Sequence, residues 1–300
     1  MAKSAAQANL EYLALRFFCA FVSAVPHRVA MAVARSFGWM AFHVFRLRRN
    51  RTLDRIRKVF PGIDAKEAAA IAEKSISNIL MTGVEMIRAP RLDRRWMDRY
   101  VVEGRLYKDR LQALVDEGRG VVIMVPHSGN WYMAAWSMAK YGLKLFALAA
   151  RQRNPRLDGW MKRQYGDIEV LDRSDRSTLV KIKDRLQSAR AFAILPDLRV
   201  RKRDVEVDFL GGKANVSRAG AMFAVKCGSP IVVAAMERRG LKHVFNHIAT
   251  LRPDLDAADS KAEAERLTRE VMKLLDAEIR RNPGDWFWYN KRWILEPVKG

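Results

Sequence analysis

A chain of 300 residues with 49% hydrophobic side chains has enough apolar material for a sizeable core, which marks it as globular. Its 55 Lys and Arg against 33 Asp and Glu leave a formal charge of +22, far beyond the needs of solubility, so a polyanionic partner is expected: anionic lipid, an acidic carrier protein or nucleic acid. Cys19 and Cys227 stand without a CxxC pair or a Cys/His cluster. That argues against a disulfide scaffold and a structural zinc site and makes a reducing, cytoplasmic setting the default.

The chain opens on "LEYLALRFFCAFVSAVPHRVAMAVARSFGWMAFHVFRLRRNR", residues 10–51, an apolar and aromatic stretch cut at Pro26 and ending in a basic run. Neither half offers about 20 uninterrupted apolar residues, so a membrane-crossing helix is not expected. No short apolar segment leads to a small-residue cleavage site, so a signal peptide fits poorly. The better physical reading is two helices lying in or against a membrane interface, held by Phe17, Phe18, Phe21, Trp39 and Phe42 and by the basic tail Arg46 to Arg51; the alternative is that they simply pack on the domain. Residues 1–50 are therefore expected to be membrane-interacting helices and residues 51–300 a single domain, since no repeat, low-complexity block or long linker divides the rest.

"DAKEAAAIAEKSISNILMTGVEMIRA" (64–89) has helical spacing and an Asp cap followed three residues later by Glu67, which predicts a capped helix. Another helix follows over 105–117. From there strands and helices alternate: "GVVIMVPH", "WYMAAWSMAKYG", "KLFALAA", "PRLDGWMKRQYG", "IEVLD", "STLVKIKDRLQSA" and "AFAILPD". Later come "VEVDFLGG", the helix "RAGAMFAVKCG", the strands "PIVVAAMERR" and "HVFNHIATLRP", a long polar helix over 260–281 and the closing "NPGDWFWYNKRW". Continuous Val/Ile/Leu strands separated by amphipathic helices predict an α/β fold with a mainly parallel mixed sheet covered on both faces, and ligands at the carboxyl ends of its strands.

His127, Arg151 and Asp197 each fall at or just past such a strand end. A histidine titrates near neutrality and suits the removal of a proton from a hydroxyl. The Ser128-Gly129-Asn130 turn that follows it, at a helix start, offers backbone NH groups to an oxyanion or phosphate. Ser128 lacks a Gly-x-Ser-x-Gly elbow and is set aside as a nucleophile. In "ARQRNPRLDGWMKRQYG", Arg151, Arg153, Arg156, Lys162 and Arg163 surround Asn154, and guanidinium forks match phosphate oxygens. A third cluster runs from Asp197 through the basic residues 199–203 to Gly211 and Gly212, which permit close backbone approach.

In order, "RRNRTLDRIRKVFPG", "VVIMVPHSGNW", "RQRNPRLD", "AILPD", "VDFLGGKANVSRAGAMFAVKCGSPIVV" and "NPGDWFWYNKRW" resemble the late acyltransferases of lipid A biosynthesis, the lauroyl/myristoyl transferase group, and their relatives that acylate phosphatidylinositol mannosides. The resemblance covers most of the chain. It implies a glycerolphosphate-acyltransferase-like fold and a transferase at the cytoplasmic face of the inner membrane. The acyl chain would pass from acyl carrier protein or coenzyme A to a hydroxyl of an anionic glycolipid, with no cofactor and no metal; nucleic acid is not among the implied partners. The family's dyad is a His followed after four residues by Asp or Glu. His127 matches the His as general base, and Arg151, Asn154 and Asp197 match positions used around the substrate, with Gly129, Asn130 and Arg163 as further candidates for substrate binding.

Tyr132 stands where the dyad carboxylate is expected, and a phenol with a pKa near 10 carries no charge at pH 7. Three readings follow: another acid, Asp197, Asp172 or Asp175, takes over; Tyr132 itself accepts a hydrogen bond; or the protein is a silent lipid-binding homologue.

Overall fold

The computed structural model describes residues 5–152 and 154–296. Arg153 of the basic cluster lies outside the described residues, as do both ends.

Pro26, which lacks an NH to continue a helix, separates α1 (Ala5–Ala24) from α2 (His27–His43). The basic run then enters a third helix, α3 (Arg49–Val59), instead of trailing free. Its Arg51 pairs with Glu296, and the buried Arg55 donates to the carbonyls of Trp288 and Asn290 at 2.8 and 2.7 Å. α4 (Ala65–Arg88) starts at Asp64, whose side chain accepts from the Glu67 amide at 2.8 Å. Gly38 on α2 meets Ser77 on α4 so closely that a β-carbon there would sit 2.3 Å from the serine hydroxyl. Only a residue without a side chain permits that crossing.

Past α5 (Arg94–Tyr100), the chain lays down β1 (Val101–Val102), α6 (Gly104–Asp116), β2 (Val121–Met124), α7 (Trp131–Lys140) and β3 (Leu145–Ala149). It continues through α8 (Pro155–Gln164), β4 (Glu169–Asp172), α9 (Thr178–Gln187) and β5 (Ala191–Ile194). A hairpin, β6 (Val205–Phe209) and β7 (Gly212–Val216), leads to α10 (Ala219–Cys227), β8 (Ile231–Arg239), β9 (Lys242–Leu251) and α11 (Ser260–Arg281).

Seven strands form one mixed sheet in the order β1-β9-β8-β2-β5-β3-β4. Every neighbouring pair is parallel except β8 and β9, which form a long antiparallel ribbon. The hairpin β6–β7 stands apart as a second, two-stranded sheet. Both faces of the large sheet are covered. Val122, Met124 and Phe192 point into a core shared with α3, α4, α10 and α11, while Val121, Ile123 and Ala191 point into one built with α6 and α7. This double burial is why the central strands read as unbroken apolar runs. Among the described residues no helix is long and apolar enough to cross a membrane.

Candidate active site

The adjacency of β2, β5 and β3 brings the loops after three parallel strands to one rim. His127 follows β2 and Asp197 follows β5, and the two meet: His127 Nδ1 lies 2.7 Å from Asp197 Oδ1. The His127 amide donates to Asp197 Oδ2 at 2.8 Å, and Trp286 Nε1 donates to that same oxygen, also at 2.8 Å. Asp197 is fully buried, whereas the histidine side chain remains partly accessible. Burial works to raise the Asp197 pKa, but the histidine's charge and hydrogen bonds together with the tryptophan NH outweigh it, and the net shift is downward. The carboxylate is held ionised against the ring.

Tyr132 is placed differently. It lies buried in α7, and its hydroxyl donates to the Gln164 carbonyl. Burial pushes its pKa up, with Tyr165 adding to the effect, so the phenol stays neutral. Asp172 and Asp175 are committed elsewhere, Asp172 to Ser174 and Asp175 to Ser177 and Lys181.

The loop between His127 and α7 is tightly held. Gly129 has φ +57°, and a β-carbon there would lie 1.8 Å from the Met236 carbonyl oxygen, so glycine is required both by the left-handed conformation and by the approach of β8. The Gly129 amide donates to the Asp285 carbonyl at 2.9 Å and the Ser128 amide to the Pro126 carbonyl at 2.7 Å. Two NH groups expected to face an oxyanion are thus engaged within the protein. Asn130 is completely buried; its side-chain oxygen caps α7 at the Met133 amide, 2.8 Å away. Phe287 donates its amide to the His127 carbonyl at 3.0 Å, so "GDWFW" braces the loop from the other end of the chain.

Beside His127 opens a cavity of about 1140 Å³. Apolar side chains from several elements line it, among them Tyr107, Leu111, Ile123, Met138, Leu145 and Phe245. Among the described residues its charged lining is cationic apart from His127: Arg173, Arg199, Arg201, Lys291 and Arg292. Arg151 and Arg163 are exposed and not part of that lining. Asn154 is buried at the start of α8, where its side chain caps the Arg156 amide at 3.0 Å. The structure therefore joins His127 to Asp197, keeps Gly129 and Asn130 as the frame of the loop, and leaves Arg151, Arg163 and Asn154 outside the cavity wall. No group of three or more metal-ligating side chains occurs among the described residues.

Residues not singled out from sequence also belong here. Trp286 completes the Asp197 hydrogen bonds, and Asp285 accepts from Gly129. Glu85, a buried carboxylate on α4, accepts from Asn130 Nδ2 at 2.6 Å. A signal for it exists in the sequence: Asn78, Thr82 and Glu85 form a polar stripe at helical spacing on the buried face of α4.

Residues 4–294 match the family described as bacterial lipid A biosynthesis acyltransferase. Among curated proteins, the chain is similar to a phosphatidylinositol mannoside acyltransferase of Mycobacterium tuberculosis (strain ATCC 25618 / H37Rv), 25% identical over 71% of this chain and 66% of the relative. A protein of the same description from Mycolicibacterium smegmatis (strain ATCC 700084 / mc(2)155) is 25% identical over 63% of this chain and 61% of its own. The matched stretch thus spans a little under two thirds of the length of these relatives.

Proposed function

This chain belongs to the bacterial lipid A biosynthesis acyltransferase family, and we propose that it moves a fatty acyl chain from an acyl thioester to a hydroxyl of an anionic glycolipid. The observation that carries this reading is the contact of His127 Nδ1 with the buried Asp197 carboxylate, 2.7 Å long, at the wall of a largely apolar cavity. With Nδ1–H donating to Asp197, the neutral ring presents Nε2 as its acceptor. Nε2 takes the proton of the acceptor hydroxyl as its oxygen attacks the thioester carbonyl carbon. The tetrahedral intermediate then collapses, the carbon–sulfur bond breaks, and the imidazolium returns the proton to the leaving thiolate.

Asp197 orients the ring and offsets its positive charge, the part the family pattern assigns to the carboxylate five residues after the His. A carboxylate arriving from another strand supports an active enzyme over a silent lipid-binding homologue, because Tyr132 was the sole motive for the latter. With the Ser128 and Gly129 amides engaged, the first amides of α7 and the cationic rim remain as stabilisers of the developing oxyanion.

The apolar wall suits the acyl chain. The rim cations Arg173, Arg199, Arg201, Lys291 and Arg292 suit phosphates of the acceptor and the acidic surface of acyl carrier protein, or the phosphates of coenzyme A. Of the expected anchors Phe17, Phe18, Phe21 and Trp39 are exposed, joined by Val33 and Phe37, whereas Phe42 is buried in the core of the domain; Arg16, Arg28 and Arg35 lie among the exposed residues. That face fits an anionic bilayer surface, which supports placement at the cytoplasmic side of the inner membrane. The direct test supplies purified protein with acyl carrier protein and coenzyme A thioesters and a glycolipid extract. His127-dependent appearance of an acylated glycolipid is expected; transfer that persists unchanged in His127→Ala would sink the mechanism.

A further inference from the structure

A second buried charge cluster abuts the His127 loop. Glu85 is fully buried, and four hydrogen bonds converge on its carboxylate. Arg238 grips it with both terminal nitrogens at 3.0 and 2.5 Å, His243 Nε2 lies 3.1 Å away, and Asn130 Nδ2 donates at 2.6 Å. Asn130 faces two ways, since its Oδ1 caps α7 at the Met133 amide. A second route reaches the same loop: the Arg238 amide donates to Asp285 Oδ2 at 2.9 Å, and the Asp285 carbonyl receives the Gly129 amide at 2.9 Å.

A buried ion pair is a poor source of net stability, because desolvation offsets its attraction, and its better use is to specify one geometry. The Ser-Gly-Asn loop particularly needs such a device. It carries no apolar side chain that packing could lock in place, so its position is set by hydrogen bonds.

We propose that Glu85 is a positioning residue which, through Asn130, fixes the 127–130 loop and so aims the His127 ring into the cavity. Its consequence for turnover rests on the acyl-transfer reading; its effect on the ring does not.

Asn130→Ser separates the two jobs of Asn130. Serine is an equally good helix cap, so α7 keeps its start, but its side chain is one atom too short to bridge to Glu85. In this variant kcat is expected to fall by about tenfold or more, as small misplacements of a catalytic group do. KM should stay within about twofold, because the loss falls on the transition state and not on ground-state binding. The ¹⁵N ring shifts of His127 should move, with the far-UV circular dichroism unchanged. Wild-type kcat together with unmoved ring shifts would overturn the proposal. Should the wild-type protein itself transfer no acyl group, the functional reading fails, and the substrate-free ring shifts alone decide the positioning: moved shifts support it and unmoved shifts overturn it.

Discussion

Two buried carboxylates, Asp197 and Glu85, each hold a histidine, yet they build different things. Asp197 takes Nδ1 of His127 and leaves the ring in the cavity wall. Glu85 takes Nε2 of His243, a residue with no exposed surface that is absent from the cavity lining, and adds Arg238 to the same carboxylate. A His–carboxylate pair is therefore not by itself a reactive site. Reactivity needs the second nitrogen to face a space that substrate can enter, and a carboxylate whose charge is not already neutralised by an arginine. His127 lines the cavity and, among the described residues, no arginine is bonded to Asp197, whereas His243 is closed off and Glu85 is gripped by Arg238; on the proposed reading the first pair is the reactive one and the second a scaffold.

The largest expected effect is on the open pair. His127→Ala should lower the rate of acyl transfer by about 10³-fold or more, the range general-base catalysis and ring positioning supply together, as measured by steady-state turnover of an acyl thioester. His243→Ala at a temperature where it remains folded should fall far short of that; equal losses would erase the contrast. Asp197→Asn keeps the shape and removes the charge, and in the serine-protease analogy such a change costs about 10⁴-fold. A loss of at least about 10²-fold, with lipid binding retained, is expected here, whereas near-wild-type turnover would show that the carboxylate is structural.

On the scaffold side, Glu85→Gln leaves Arg238 without its counter-charge, and breaking a buried pair from one side costs about 3–5 kcal/mol. Urea unfolding should show this as a lower midpoint at unchanged slope.

The pH dependence of stability sharpens the same comparison. Burial raises the Glu85 pKa, but Arg238 and His243 outweigh it and hold the carboxyl far below its usual range; Asp197 is also shifted down. A depressed folded-state pKa contributes stability that is complete above the unfolded value, near 4 for these acids, and is lost as pH falls below it toward the folded value. Burial pushes His27 down to about 4, so it removes stability in the same direction, beginning near its unfolded value of about 6.5. The midpoint should therefore decline from about pH 6.5 and steepen below about pH 4. Glu85→Gln should flatten the lower limb only, and an unaltered slope would contradict the Glu85 assignment.

The smallest expected change is at Tyr132. Tyr132→Phe removes one buried hydrogen bond to the Gln164 carbonyl, worth about 1 kcal/mol of stability. Turnover should stay within about threefold of wild type; a collapse in rate would return Tyr132 to the catalytic machinery.

Much of this architecture was legible beforehand. The strand-and-helix rhythm from Val121 onward announced a mainly parallel sheet, and His127, Arg151 and Asp197 fell at or past strand ends as expected. The antiparallel β8–β9 ribbon and the detached β6–β7 hairpin were not legible, because partner and direction are settled by long-range pairing and not by local pattern. Arg46 to Arg51, read as a membrane-facing tail, runs into α3, where Arg51 meets Glu296. That contact lies 245 residues away along the chain, out of reach of any local signal.

The chain's own order of residues determined that strands end shortly before His127 and Asp197, that a helix begins at Asn130, and that the amino-terminal stretch breaks at Pro26, because periodicity, caps and proline act within a few residues. Only the tertiary structure decided which acid serves His127. The family resemblance pointed to position 132, which here holds Tyr132, but a helix sends the fifth residue's side chain wherever its face packs, here toward Gln164. The sheet order placed β5 beside β2, and that adjacency set Asp197 within 2.7 Å of the ring.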